Sequence, residues 1–264
     1  MDVPEEVISY YTGGKELTRL GQGKGLLEAA RTKELIARFL PARASVLDVG
    51  GGPGYYAQWL ASLGNSVHLV DPVTLHVEEA RRRAGEPASF TVSLGDARKL
   101  EQEDSTFDAV LLLGPLYHLT DRFDRTQALR EAARVCRPGG YVLASAISRF
   151  APALDGIREG WIVGDRAFET VRMNLEHGWR YDGGETGWTT AYFHDADDLV
   201  QEAQDSGLQV IGVYGIEGPG WLMIDEKKWD DPVMQERLLW LALTCEEDPR
   251  MRMVSSHLLL AATA

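Results

Sequence analysis

The sequence predicts an α/β fold, a mostly parallel sheet with helices on both faces, and three observations carry that prediction. Strand-like runs alternate with helix-like ones along the 264 residues. One run, Phe107-Asp108-Ala109-Val110-Leu111-Leu112-Leu113, is almost wholly apolar, as a strand covered on both faces must be. Another, Val46-Leu47-Asp48-Val49, enters a tight glycine-rich turn and passes straight into a helical pattern at Leu60, Ala61 and Leu63. Alternation of this kind gives parallel strands joined by right-handed helical crossovers.

Each element follows from its local pattern. Residues 1–23 are mixed, with Tyr10-Tyr11 and scattered glycines. A helix over 24–40 sets Leu26, Leu27, Ala30, Glu34, Leu35 and Phe39 at helical spacing, and Pro41 stops it. Strand 45–49 and its turn come next, then strand 66–71, which Pro72 prevents from extending. A charged helix over 74–84 leads to strand 88–94 and the triplet Gly95-Asp96-Ala97. Gly114-Pro115 breaks strand 107–113, and the helix 122–136 ends at the turn Arg137-Pro138-Gly139-Gly140. Strand 141–147 precedes an irregular stretch, 148–193, rich in tryptophan, tyrosine and glycine. Helix 195–206, strand 208–216, helix 231–246 and a last strand 255–261 complete one domain spanning 1–264.

In a parallel sheet the helices start where the strands end, the face on which ligands bind. Residues 1–23, 148–193 and 217–250 are expected on that face, the first as a lid segment and the other two as lid and acceptor insertions.

Bulk properties narrow the function. With 27 Lys and Arg against 40 Asp and Glu the formal charge is −13, which excludes a basic footprint for nucleic acid. The two cysteines, Cys136 and Cys245, lack metal-ligand spacing and read as buried free thiols, in keeping with a cytoplasmic protein. No apolar run approaches membrane-spanning length, and the first residues carry no signal-peptide pattern. A monomer or homodimer is expected, with a small-molecule acceptor as its partner, no nucleic acid and no membrane.

The glycine turn is the centre of the reading. Glycine is needed where the backbone takes positive φ or touches a ligand with no Cβ between, and the helix that follows aims its free N–H groups at whatever sits there. Two registers compete. Gly52-Pro53-Gly54-Tyr55-Tyr56-Ala57 satisfies the dinucleotide pattern G-x-G-x-x-G/A. The other register is Asp48-x-Gly50-x-Gly52-x-Gly54. Asp71, at the end of the second strand, suits a ribose in either case, although an acid there also serves as a helix cap. Asp96 beside the Ala97 N–H suits an adenine amino group and ring nitrogen, and the Pro138-Gly139-Gly140 turn has no dinucleotide-enzyme counterpart.

Taken together, residues 45–147 resemble the class I S-adenosylmethionine (SAM)-dependent methyltransferases, specifically small bacterial enzymes of metabolite chemistry. That resemblance implies a Rossmann-like, seven-stranded sheet whose last strand, the candidate being 255–261, is antiparallel. It implies SAM as cofactor. Asp48 and the Gly50, Gly51, Gly52 and Gly54 loop would hold the methionine portion, Asp71 with Pro72 the ribose, Asp96 and Ala97 the adenine, and the Leu113-Gly114 backbone the amino group. Tyr11 joins the cofactor set, and Arg31 is a candidate for the methionine carboxylate. Gly114-Pro115-Leu116-Tyr117 departs from the Asn/Asp-Pro-Pro-Tyr/Phe motif of base-amine enzymes. The acids of Mg-dependent catechol-type enzymes are not apparent, so no metal is expected.

Methyl transfer from such a donor needs an aligned nucleophile, exclusion of water and, where a proton leaves, a base. His118, just past the fourth strand, is the first candidate base, and His194, at the start of the helix after the lid, the second. His177 and Glu217 complete that set. Tyr10, Tyr117, Trp161, Trp188, Tyr192 and Trp221, with Glu217, are candidate acceptor-pocket residues, though aromatics also anchor cores. A small, partly apolar or aromatic acceptor follows from this lining. Two other functions stay open: a nicotinamide-dependent oxidoreductase on the 52–57 register, and a non-catalytic SAM-binding module.

Overall fold

The structure is a computed structural model that describes residues 15–180, 191–223 and 225–264. Tyr10, Tyr11 and Trp188 lie outside the described residues. Five parallel strands form the heart of the sheet: β1 (Ser45–Val49), β2 (Ser66–Asp71), β3 (Thr91–Leu94), β4 (Phe107–Leu112) and β5 (Cys136–Ser148), in the order β3-β2-β1-β4-β5. A hairpin of β6 (Trp179–Arg180) and β7 (Ala191–His194) joins the end of β5, where Ile147 and Ser148 pair with Phe193 and His194. The edge is completed by β8 (Gln209–Gly215) and β9 (His257–Thr263), with β9 antiparallel to both β5 and β8.

Ten α-helices lie among the described residues: α1 (Gly25–Phe39), α2 (Tyr55–Ser62), α3 (Thr74–Ala84), α4 (Pro115–His118), α5 (Arg122–Val135), α6 (Ala151–Glu159), α7 (Asp165–His177), α8 (Ala196–Asp205), α9 (Glu226–Asp230) and α10 (Pro232–Cys245).

Strand alternation sorts the core into two layers. Val46, Leu111, Leu143, Leu259 and Ala261 point to one side and pack with Leu35, Ile36, Ala57, Leu60 and Ala80 of α1, α2 and α3. Their neighbours Leu47, Val49, Val110, Leu112, Val142, Ala144, Leu258 and Leu260 point to the other and pack with Ala128, Leu129 and Ala132 of α5 and Leu199 and Ala203 of α8. A strand buried on both faces needs apolar residues at successive positions, which is why β4 has no polar alternation.

Three details are added to the expectation. Among the described residues the sheet holds nine strands, the expected seven with an antiparallel last strand and the two of the β6–β7 hairpin formed by part of 148–193. Residues 137–140 are not a free turn: β5 begins at Cys136, Gly139 sits at φ 79°, and its N–H donates to the Ala264 carbonyl 2.9 Å away. Tertiary pairing with the end of β9 thus draws a breaker-rich turn into the sheet. The last strand runs two residues later than expected. Both cysteines are buried free thiols. Among the described residues no helix is long and apolar enough to cross a membrane.

Candidate active site

A cavity of about 420 Å³ lies over the C-terminal ends of the central strands. Asp48, Gly50, Gly51 and Gly52 after β1, Asp71 and Pro72 after β2, Asp96 and Ala97 after β3, and Leu113, Gly114, Tyr117 and His118 after β4 all border it. Residues 16–22 cross it as a strap. Arg83 of α3 donates to the Leu17 carbonyl at 2.9 Å, and Arg19 of the strap forks onto Glu28 of α1 at 2.5 and 3.0 Å. No described residue of 148–180, 191–193 or 217–250 borders the cavity.

Asp48 is the electrostatic anomaly. It is fully buried, and among the described residues both carboxylate oxygens are buried with no hydrogen-bond partner. Burial, reinforced by the nearby Asp71 carboxylate, pushes its pKa up to about 7. An unpartnered carboxylate in a ligand-sized cavity calls for a cationic ligand, since a buried polar group without a partner costs free energy. The glycines allow the approach. A Cβ on Gly51 would sit 2.6 Å from Asp48 Oδ2, whereas Gly52, at φ 56°, has among the described residues nothing within 4 Å of its Cβ position except Glu16 Cγ at 4.0 Å. The floor is therefore tight beneath the loop and open above it.

Asp71 is less free than its position in the sequence suggests. Its Oδ2 accepts from the Gly52 N–H at 2.9 Å, and its Oδ1 from the Val73 N–H at 2.9 Å and from the ring of His76, whose Nδ1 lies at 3.1 Å. Of the roughly four acceptor positions of a carboxylate, these contacts use three. The bidentate ribose acceptor expected from the sequence becomes a loop tie that leaves one position at Oδ2 open among the described residues. Asp71→Ala should therefore do two things: lower stability by about 2–4 kcal/mol, because two backbone N–H groups lose their partner, and weaken cofactor binding. Chemical denaturation and calorimetry check this, and an unchanged unfolding midpoint would refute the tie. Asp96 is likewise engaged, by the Arg98 backbone and side chain at 2.6–3.2 Å, and Arg98 also reaches Asp124 at 2.8 Å.

Several expected site residues lie elsewhere. Arg31 is buried beneath the sheet edge, where its Nε donates to the Ile216 carbonyl and its guanidinium pairs with Glu34 and Glu246. Gly54 caps α2 at φ 84° and faces Phe90 and Ala80, packing two helices together rather than bordering the cavity. His194 is fully buried, 3.2 Å from Glu202, in an ion-pair cluster with Arg125. Burial outweighs the carboxylate and holds its imidazole below the usual range, so it is neutral at neutral pH. Tyr192 stacks on the Arg125 guanidinium at 3.5 Å. Trp221 is core: its indole N–H donates to the Val254 carbonyl at 2.8 Å, beside Leu27 and Leu238. Trp161 bonds Asp155 at 3.3 Å, and His177 is exposed at the end of α7. Glu217 is buried behind the cavity wall, where it accepts from Ser255 and His257.

The cavity recruits residues that the sequence reading passed over: Glu16, Arg19, Glu28, Thr32, Tyr56, His76, Arg98 and Ser145. Only Arg98, two positions past Asp96, carries a sequence signal. Glu28, Glu217 and His257 approach closely enough to hold a cation. Arg19 already takes both Glu28 oxygens, and Glu217 accepts from Ser255, from the His257 N–H and from the ring of His257, whose Nδ1 lies at 2.5 Å. The cluster's charges are thus answered from within the chain.

Residues 46–140 match the family described as methyltransferase domain. Methyltransferase GfsG of Streptomyces halstedii is 35% identical over 151 residues, 55% of this chain and 52% of that protein. The ubiquinone biosynthesis O-methyltransferase of Methylocella silvestris is 35% identical over 123 residues, 44% of this chain and 47% of that protein. The chain spans about half the length of these curated relatives. A SAM-dependent methyltransferase from Methanosarcina mazei superimposes with a TM-score of 0.60 at 19% identity, covering 87% of this chain and 96% of that one, a likeness of fold.

Proposed function

We propose that this chain, whose residues 46–140 match the methyltransferase domain family, is a class I SAM-dependent enzyme that transfers a methyl group from SAM to a hydroxyl of a small molecule. The observation that carries the reading is the unpartnered Asp48 carboxylate under the glycine loop, in a cavity that also gathers Asp71, Asp96 and Ala97. These residues fit SAM: Asp48 and Gly50–Gly52 for the methionine portion, the open position on Asp71 for the ribose, and Asp96 with Ala97 for the adenine. Arg31 does not border the cavity, whereas Arg19, Arg83 and Arg98 do. When bound, SAM supplies a methyl carbon on a positively charged sulfur that departs as a neutral thioether.

The chain's own residues align the acceptor and keep water out. The strap 16–22 is the covering segment, pinned by Arg19 and Arg83. The acceptor end lies at β4, β5 and α1, bordered by Tyr117, His118, Ser145, Thr32 and Glu28. Among the described residues it is more polar than the aromatic pocket the sequence suggested, because Trp161, Tyr192 and Trp221 pack elsewhere. The O-methyltransferase name of the Methylocella relative supports a hydroxyl acceptor. The −13 charge supports a small molecule over nucleic acid.

Calorimetry tests the reading. SAM and S-adenosylhomocysteine should bind and NADH should not. Tight NADH binding with no SAM binding would replace methyl transfer with hydride chemistry. SAM binding without turnover on any acceptor would leave a binding module.

A further inference from the structure

We propose that Glu28 is the side chain that takes the proton from the acceptor hydroxyl as the methyl ether forms, an assignment that rests on the methyl-transfer reading above. Glu28 stands on α1, is 8% exposed and borders the cavity. Arg19 holds it from the strap side by a two-pronged contact at 2.5 and 3.0 Å. From behind, His257 Nδ1 lies 3.8 Å from its Oε2 and 2.5 Å from Glu217 Oε1. Glu217 is 1% exposed and is fixed in turn by the Ser255 hydroxyl at 2.7 Å and the His257 N–H at 2.9 Å.

Its place in the cavity follows from sheet register. Ser145 pairs with Leu259 and Ile147 with His257, so Ser145 and His257 share a face. Ser145 borders the cavity and Glu28 touches the His257 cluster, which puts Glu28 at the β5 end. Asp71 and Asp96 occupy the opposite end, over β2 and β3. The acceptor therefore enters beside Glu28.

The charge state suits the role. Burial works to raise the Glu28 pKa, but the Arg19 and His257 charges outweigh it and hold the group below its usual range, so it is ionised at neutral pH. A carboxylate offers about four acceptor positions. Arg19 uses two of them, and a substrate hydroxyl can take another. As the hydroxyl oxygen bonds to the methyl carbon, the carbon–sulfur bond breaks and sulfur keeps the electron pair. As that bond forms, the O–H becomes far more acidic than a carboxylic acid, so its proton moves downhill to Glu28 within the same step even though that carboxylate is a weak base. The products are a methyl ether, a neutral thioether and a protonated Glu28, which releases its proton to water.

The experiment uses the full chain with SAM and four probes: catechol, cyclohexanol, phenethylamine and benzyl mercaptan. Products are identified by mass spectrometry, and single-turnover rates are compared. The expected result is a methyl ether from a hydroxylic probe. Glu28→Gln should slow that step by about 100-fold or more while S-adenosylhomocysteine affinity stays within about threefold. Glu28→Asp, which keeps the charge opposite Arg19, should recover part of the rate, guarding against a fold defect. The assignment is overturned by a tenfold loss of S-adenosylhomocysteine affinity in Glu28→Gln, by methylation on nitrogen or sulfur alone, by no turnover of either hydroxylic probe, or by a larger loss in His118→Ala than in Glu28→Gln. Failure of the native chain to bind SAM would instead end the methyl-transfer reading itself.

Discussion

At about pH 8 the ligand-free Asp48→Asn protein should be more stable than the native chain by up to about 4 kcal/mol, yet should bind SAM at least about tenfold more weakly. Burial and the Asp71 charge raise the Asp48 pKa from 3.8 to about 7. Between those values the folded chain holds a proton that the unfolded chain has released, so stability falls as pH rises through that window. Above it the full cost remains. At about 1.4 kcal/mol per pH unit the cost reaches roughly 4 kcal/mol. Asparagine keeps the shape and removes the charge.

A cationic ligand offsets the same cost, so SAM affinity in the native chain should rise with pH through about 7, and that dependence should vanish in the variant. Thermal unfolding at pH 6 and 8, with about 2–4 °C expected per kcal/mol, and calorimetry at both values decide it. A variant less stable than the native chain at pH 8 would show that the charge is not strained. A variant with native affinity would remove Asp48 from the cofactor contacts. Function here costs stability, as is common where a site must hold an unpaired group.

Glu202→Ala should lower stability by about 3–5 kcal/mol and leave S-adenosylhomocysteine affinity unchanged. Arg125 and Glu202 are each 2% exposed and joined at 2.7–3.1 Å, with His194 3.2 Å from the same carboxylate. Burial alone would raise the Glu202 pKa, but the His194 and Arg125 contacts carry it below the usual range, so the pair is ionised. Removing the carboxylate leaves a buried guanidinium uncompensated, the costly half of breaking an ion pair. Since none of the three borders the cavity, denaturation should register the change and calorimetry should not. A tenfold fall in cofactor affinity would return His194 to the site and sink the reading of this cluster as a lock between α5, α8 and the β6–β7 hairpin.

The divide between what was legible and what was not runs along the range of the interactions. Strand β4, helix α3 and the turn at Gly50–Gly52 were readable because periodicity, breakers and positive φ act over a few residues. The half of the cavity proposed for the cofactor was readable for a related reason: Asp48, Asp71 and Asp96 each sit at the end of a predicted strand, and parallel connectivity brings strand ends to one face.

The half proposed for the acceptor was not readable. Arg19, Glu28 and His257 are far apart in the chain or on segments without a motif, and they meet only because α1 packs beside β9. His118 and Tyr117 reached the cavity by proximity to β4, whereas Trp161, Trp221 and Tyr192 were claimed by core packing and a guanidinium stack. Arg31 was drawn off by Glu34 and Glu246, a partner more than two hundred residues away in sequence. The sequence by itself determined the layered α/β sheet and the acids along its ligand face, because those follow from local period and connectivity. Packing set which polar side chains border the cavity and which neutralise one another, because a charged group's role depends on the partner placed beside it.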